Sequence, residues 1–378
     1  MNLRRVMAVG AIVGLGAMTI SPTLSAATPT TSNLACATRV VSTWSLTRVA
    51  RETVVVSAQA SSLASLTSSA AQGYGGFLLF GSLAPATLPV TLASLRGLEP
   101  DRLVPMVMTD DEGGGIIRFP NLVGHWPWAQ VMGSTMTPAR IVAQGERVGA
   151  AMVRAGLNVD LAPVADVDGR AEFPGSANPD GYRSFGGSPT VDAADVAAFA
   201  TGLLRAHVVA VVKHFPGLGG STRSTDYGPA NTRPWSEMKS TALVPFRRAI
   251  SSGVTAIMMS NAVVPGLTTI PASLSPVAVG YLRHTMGFHG LIMTDSLSAG
   301  AISAVHLSPA QASVVSLAAG VDQVLNGNPS SPALALQTAS MTTAAIVAAV
   351  ESGKLSRSQL VQAAAQVVAS TNTLSCLG

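Results

Sequence analysis

Cysteine is nearly absent from this sequence: two residues in 378. That excludes a disulfide-dense scaffold and a zinc ribbon, both of which need several closely spaced thiols. Charge is scarce too, at 11% against 48% hydrophobic residues. Disordered chains and long coiled coils need far more charge, so both are excluded. The formal net charge of +4 is small and scattered, which argues against nucleic-acid binding. Only three lysines occur, Lys213, Lys239 and Lys354, so each needs a reason for its position. The sequence has no Gly-x-Ser-x-Gly elbow and no His-Glu-x-x-His pair, which leaves serine-hydrolase and zincin readings without support.

What is present begins with a leader. Arg4 and Arg5 precede an apolar run from Val6 to Ile20, and Ser25-Ala26-Ala27 offers a small-residue cleavage site. This pattern reads as a signal peptide over residues 1–27, and the run is short for a transmembrane helix. The expectation is a secreted, extracellular or cell-envelope protein with no stable membrane insertion after cleavage. Residues 28–52 read as an N-terminal extension. Cys36 and Cys376 then lie at the two ends of the mature chain, where an oxidising compartment permits a disulfide between them. The alternative is two unpaired thiols.

From residue 53 to 378, short apolar runs alternate with amphipathic segments. Strands are expected at Thr53–Val56, Gly76–Phe80, Leu103–Met108, Val159–Ala162, Val208–Val212, Ala256–Met259, Leu291–Met293 and Val321–Leu325. Most are apolar on both faces, as strands buried between two layers are. Thr137 and Pro138 mark the start of the clearest helix. Eight such strands with helices between them predict an α/β fold, a single-domain (β/α)8 TIM-type barrel. In that architecture the chemistry lies just beyond the C-terminal strand ends.

Four segments stand out there. Asp110-Asp111-Glu112 runs into Gly113-Gly114-Gly115. Its carboxylates can accept hydrogen bonds from sugar hydroxyls, or form a solvated acidic turn. No matching metal-ligand set is visible, so neither metal nor cofactor is expected. Lys213-His214 ends an apolar strand, where a buried lysine needs acceptors. Asp295 stands at another strand tip, as a nucleophile, a base or a simple helix cap. Arg183 suits a carboxylate or several hydroxyls, or a surface ion pair. Trp126-Pro127-Trp128 reads equally as a sugar-stacking rim or as core.

Together these segments resemble glycoside hydrolase family 3, specifically the single-barrel bacterial β-N-acetylglucosaminidases. The matching stretches run in order: Gly76–Gly81, Asp110–Gly114, Gly156–Val164, Arg183–Gly186, Lys213–Gly217, Pro271–Ser275 and Gly287–Leu297. The resemblance implies a monomeric retaining glycosidase acting on a carbohydrate through a covalent glycosyl-enzyme. Asp295 is then the nucleophile. Asp110, Arg183, Lys213 and His214 form the sugar-hydroxyl clamp, with Arg118 as a further member.

The departures from that family concern the acid/base. Its Asp-Ser-His motif is Ser224-Thr225-Asp226 here, so Asp226 stands where the histidine is expected. An aspartate can do that work, as carboxyl groups do in most glycosidases; otherwise Asp226 is a solvated loop acid. Gly115 replaces a usual arginine, and Asn261 stands where histidine is common. Two alternatives follow: a glycan-binding barrel with lost or reduced turnover, or a β-glucosidase-like enzyme on the same site.

Overall fold

The computed structural model describes residues 31–327, 331–374 and 376. The expected leader over residues 1–27 lies outside them. Among the described residues there are nine strands: β1 Val55–Gln59, β2 Gly76–Phe80, β3 Met106–Thr109, β4 Asp111–Gly113, β5 Ile116–Ile117, β6 Val159–Asp160, β7 Val209–Phe215, β8 Ala256–Met259 and β9 Leu291–Thr294. Seven form one all-parallel sheet in the order β1-β2-β3-β6-β7-β8-β9, while β4 and β5 make a small antiparallel hairpin.

Strand alternation explains how this sheet packs. Leu78 and Phe80 on β2, Met106 and Met108 on β3, Ala256 and Met258 on β8, and Leu291 and Met293 on β9 share one inner cluster. Their neighbours Phe77, Leu79, Val107, Ile257 and Ile292 belong to the outer core, packed under the helices. A period of two on strands that are apolar throughout thus fills both faces. Four inner methionines suit a curled interior, because an unbranched thioether adapts to irregular space.

The helix Pro138–Ala155 begins at the expected cap, with Thr137 accepting from the Arg140 amide, and ends on left-handed Gly156. Helix Pro332–Glu351 is long and apolar enough to cross a membrane by length and composition. Its stripe of Ala335, Ala339, Thr342, Ile346 and Ala349 is buried.

Five strand expectations need correction, two of them only in length: the strand expected at Leu103–Met108 begins at Met106, and that at Val159–Ala162 ends at Asp160. The first strand starts at Val55 because Thr53 still caps helix Leu46–Glu52. Strand β7 runs on to Phe215, so Lys213 and His214 lie within it and not after it. The stretch 321–325 is no regular strand. It makes isolated parallel bridges, Val54 with Val324 and Met293 with Gln323, linking both edges of the sheet. Asp322 is the reason: its carboxylate accepts from the Ile292 amide at 2.7 Å and pairs with Arg283, which breaks the regular ladder. The fold is a TIM-barrel-like α/β fold built on a parallel sheet.

The N-terminal segment docks on the last helix. Asn33 donates to the carbonyls of Ala369 and Asn372 and accepts from the Leu374 amide at 2.8 Å. A disulfide joins Cys36 to Cys376, with a Cα–Cα distance of 5.5 Å.

Candidate active site

The C-terminal ends of the parallel strands surround a cavity of about 390 Å³. That is within the roughly 300–1,000 Å³ typical of small-ligand pockets. Its walls include Asp110, Arg118, Arg183, Lys213, His214, Asp226 and Asp295. All seven polar residues singled out from the sequence therefore meet in one place.

The acidic run divides by strand alternation. Asp110 and Glu112 face the cavity, whereas Asp111 between them does not line it. Behind the cavity wall, Asp111 donates its amide to the Asp160 carboxylate and accepts from the Arg118 amide at 2.9 Å. Burial pushes Asp111 up to about 7, opposed by that amide and reinforced by the Asp110 charge. The tight hairpin needs glycine: Gly114 has φ +57°, and a Cβ there would lie 2.0 Å from the Trp128 ring.

Lys213 is the hub of the clamp. Its ammonium lies 2.9 Å from Asp110 and 2.7 Å from Glu112. Arg183 grips Glu112 with two parallel bonds of 2.7 and 2.8 Å, and Arg118 reaches Asp110 at 3.3 Å. Burial alone would raise both carboxyls. The adjacent cations outweigh it: Lys213 and Arg118 hold Asp110 below the usual range, and Arg183 and Lys213 hold Glu112 far below it. Burial disfavours the Lys213 ammonium, yet Asp110 and Glu112 hold its pKa above the ordinary value. The result is a rigid floor of fixed charges, each with an opposite partner.

His214 is oriented from behind. Its Nδ1 lies 2.7 Å from Asp166, which also accepts from the amides of His214 and Leu218. The His214 ring edge therefore serves the cavity through its other nitrogen. Asp166, Asp180 and His214 offer ligand atoms within 4.8 Å of one another. Within this group Asp180 is fully buried, and burial and the Asp166 charge raise its pKa against the pull of Arg183.

Asp295 follows β9 directly, and its amide donates to the Met259 carbonyl at the end of β8. One of its oxygens accepts from the Ser296 amide at 2.6 Å. Burial raises its pKa, His214 and Lys213 pull it down, and Asp226 pushes it up. Asn261 supports this turn, donating to the Ser296 carbonyl while accepting from Ser273. Asp226 stands exposed at the cavity edge, and its loop is tied to the segment after Asp295 through the Gly300 and Ala301 amides.

Two site residues were not assigned from sequence. Glu112 was one of three acids in a row, and only its register on the β4–β5 hairpin sets it apart. Asp166 lies in an irregular stretch with no periodic signal. Trp126 and Trp128 separate: the first is buried core, the second half-buried at the surface.

The sequence profile of the glycosyl hydrolase family 3 N-terminal domain matches residues 88–370. The chain belongs to glycosyl hydrolase family 3. It is 34% identical over 230 residues to Beta-hexosaminidase LpqI of Mycobacterium tuberculosis, covering 58% of this chain and 57% of that protein. It thus spans little more than half the length of that relative. A secreted glycosyl hydrolase of Arthroderma benhamiae is 33% identical over 312 residues, covering 80% of this chain and 85% of that one. Among solved structures, a family 3 glycosyl hydrolase from Mycobacterium smegmatis superposes with a TM-score of 0.79 at 28% identity. That match covers 89% of this chain and 99% of the other.

Proposed function

We propose that the protein is a secreted retaining exo-β-glycosidase that removes terminal β-N-acetylglucosaminides from cell-wall or chitin-type fragments. The observation that carries this reading is the meeting of Asp295 and Asp226 in one cavity whose floor is a fixed-charge clamp. The name Beta-hexosaminidase borne by LpqI supports the choice of sugar. The secreted relative and the leader-like residues 1–27 support export.

In this mechanism Asp110, Arg118, Arg183, Lys213 and His214 hold the hydroxyls of one pyranose. The anionic carboxylate of Asp295 attacks the anomeric carbon. The bond to the leaving oxygen breaks as Asp226 delivers a proton to it. Water, deprotonated by Asp226, then attacks the same carbon and releases Asp295. Burial raises the Asp295 pKa, while His214 and Lys213 pull towards the anion that the first step needs. The steps as written call on no metal or organic cofactor, and the enzyme is a monomer free of the membrane after leader cleavage. Residues 53–378 act as one catalytic unit. The two bridges of segment 321–325 support closure of the sheet into a full (β/α)8 ring.

A second reading is a glycan-binding barrel with little turnover. It draws on the exposure of Asp226, because general acids work best where water is excluded. Assay of the mature protein on aryl β-N-acetylglucosaminide and aryl β-glucoside separates the readings. Turnover of the first, lost in Asp295→Ala, is the expected result. Preference for the second would identify a β-glucosidase-like enzyme. No turnover above the Asp295→Ala background on either would leave the binding barrel.

A further inference from the structure

Three aromatic side chains stand together beside the cavity and take no part in the clamp. Trp128 lies over Gly114 and Gly115, where a Cβ would come within 2.0 and 2.9 Å of its ring. Tyr182 lies 6.2 Å from Trp128 between ring centroids, and Phe173 lies 6.2 Å from Trp128 and 5.2 Å from Tyr182. Phe173 is 74% exposed, so this cluster is no ordinary core. With the half-buried rings of Trp128 and Tyr182 beneath it, the Phe173 ring belongs to a contiguous aromatic patch, which suits a ligand contact better than a lone exposed side chain does.

Its location narrows the occupant. Gly114 and Gly115 join Glu112 to Ile116, and both of those line the cavity. Tyr182 adjoins Arg183, another wall residue. The loop carrying Phe173 is bonded to the loop carrying Asp226: the Ser224 amide donates to the Ser176 carbonyl at 2.8 Å. Through that bond the loop of Phe173 borders the loop of Asp226, the proposed donor to the leaving group.

We infer that Trp128, Phe173 and Tyr182 form a second sugar subsite that stacks a pyranose ring in the leaving group of an oligosaccharide substrate. A pyranose presents a flat face of C–H groups, and aromatic side chains bind such faces while leaving its hydroxyls to solvent and neighbouring polar groups. This assignment rests on the glycosidase reading for its direction, and its test does not depend on turnover.

The test is calorimetric titration of N,N′,N″-triacetylchitotriose and of N-acetylglucosamine into Asp295→Ala protein, with and without Phe173→Ala. Phe173 is exposed, so its replacement leaves the fold intact. Phe173→Ala is expected to weaken the trisaccharide about tenfold while the monosaccharide changes less than about twofold. Phe173→Tyr is expected to restore trisaccharide binding. Unchanged trisaccharide affinity in Phe173→Ala, equal weakening of both sugars, or no trisaccharide binding at all would overturn the subsite. The glycosidase reading fails separately, by absence of aryl-glycoside turnover in the wild type.

Discussion

The charge of Asp226 is one of the forces raising Asp295, after burial and against His214. With Asp295 as the proposed nucleophile, its anion is lost at a higher pH than an ordinary aspartate's, so the acid limb of kcat/KM shifts upward. Asp226→Asn is neutral, as Asp226 is while it holds the proton it delivers, so that limb is expected to stay in place on an activated aryl glycoside. On a substrate with a poor leaving group the same variant should lose about 10²–10⁴-fold in rate, the scale of general acid catalysis. A limb that moves in Asp226→Asn would show that Asp226 is ionised when Asp295 takes up its proton, and so is not the acid. At this scale the sequence was legible where a polar residue ends an apolar run, as with Asp110, Lys213 and Asp295. Glu112 and Asp166 were not, because their roles depend on partners 71 and 48 residues away, Arg183 and His214.

Elements carry their own electrostatics. Helix Leu46–Glu52 holds Arg48 against Glu52 at 2.5 Å, and the buried Glu99 lies within the reach of both charges. Burial first, then Glu52, pushes Glu99 up to about 9 from an ordinary 4.5, against the pull of Arg48. The folded state therefore holds a proton that the unfolded chain has released across that interval. Stability from this group is complete below about 4.5 and is lost as pH rises towards 9. Glu99→Gln keeps the neutral shape, so its melting temperature should exceed that of the wild type at pH 8.5 and match it at pH 4.5. A gain of equal size at both pH values would contradict the assignment. Elements were legible where every residue is apolar: Gly76–Phe80 and Ala256–Met259 match their expected bounds. The stretch 321–325 was not, because Asp322 and Gln323 interrupt the apolar run and the Asp322 side chain takes up the Ile292 amide.

At the scale of the molecule, scarcity of charge turns into concentration of charge. A chain with only 19 acids places Asp110, Glu112, Asp226 and Asp295 around one cavity, with one of its three lysines between two of them. The two cysteines join segments 340 residues apart, fastening the first described helix beside the last. Order of motifs along the sequence made the architecture legible, since each parallel strand delivers its tip to the same end. The aromatic ledge was not legible, because Trp128, Phe173 and Tyr182 come together only through the loops beyond that end. Retaining chemistry here turns on a covalent glycosyl-enzyme on Asp295. Its most direct measurement is intact-protein and peptide mass spectrometry after incubation with a 5-fluoro-N-acetylglucosaminyl fluoride. The account predicts one added fluorosugar, located on the peptide containing Asp295 and absent from Asp295→Ala. A label on another residue, or rapid turnover in Asp295→Ala, would contradict it.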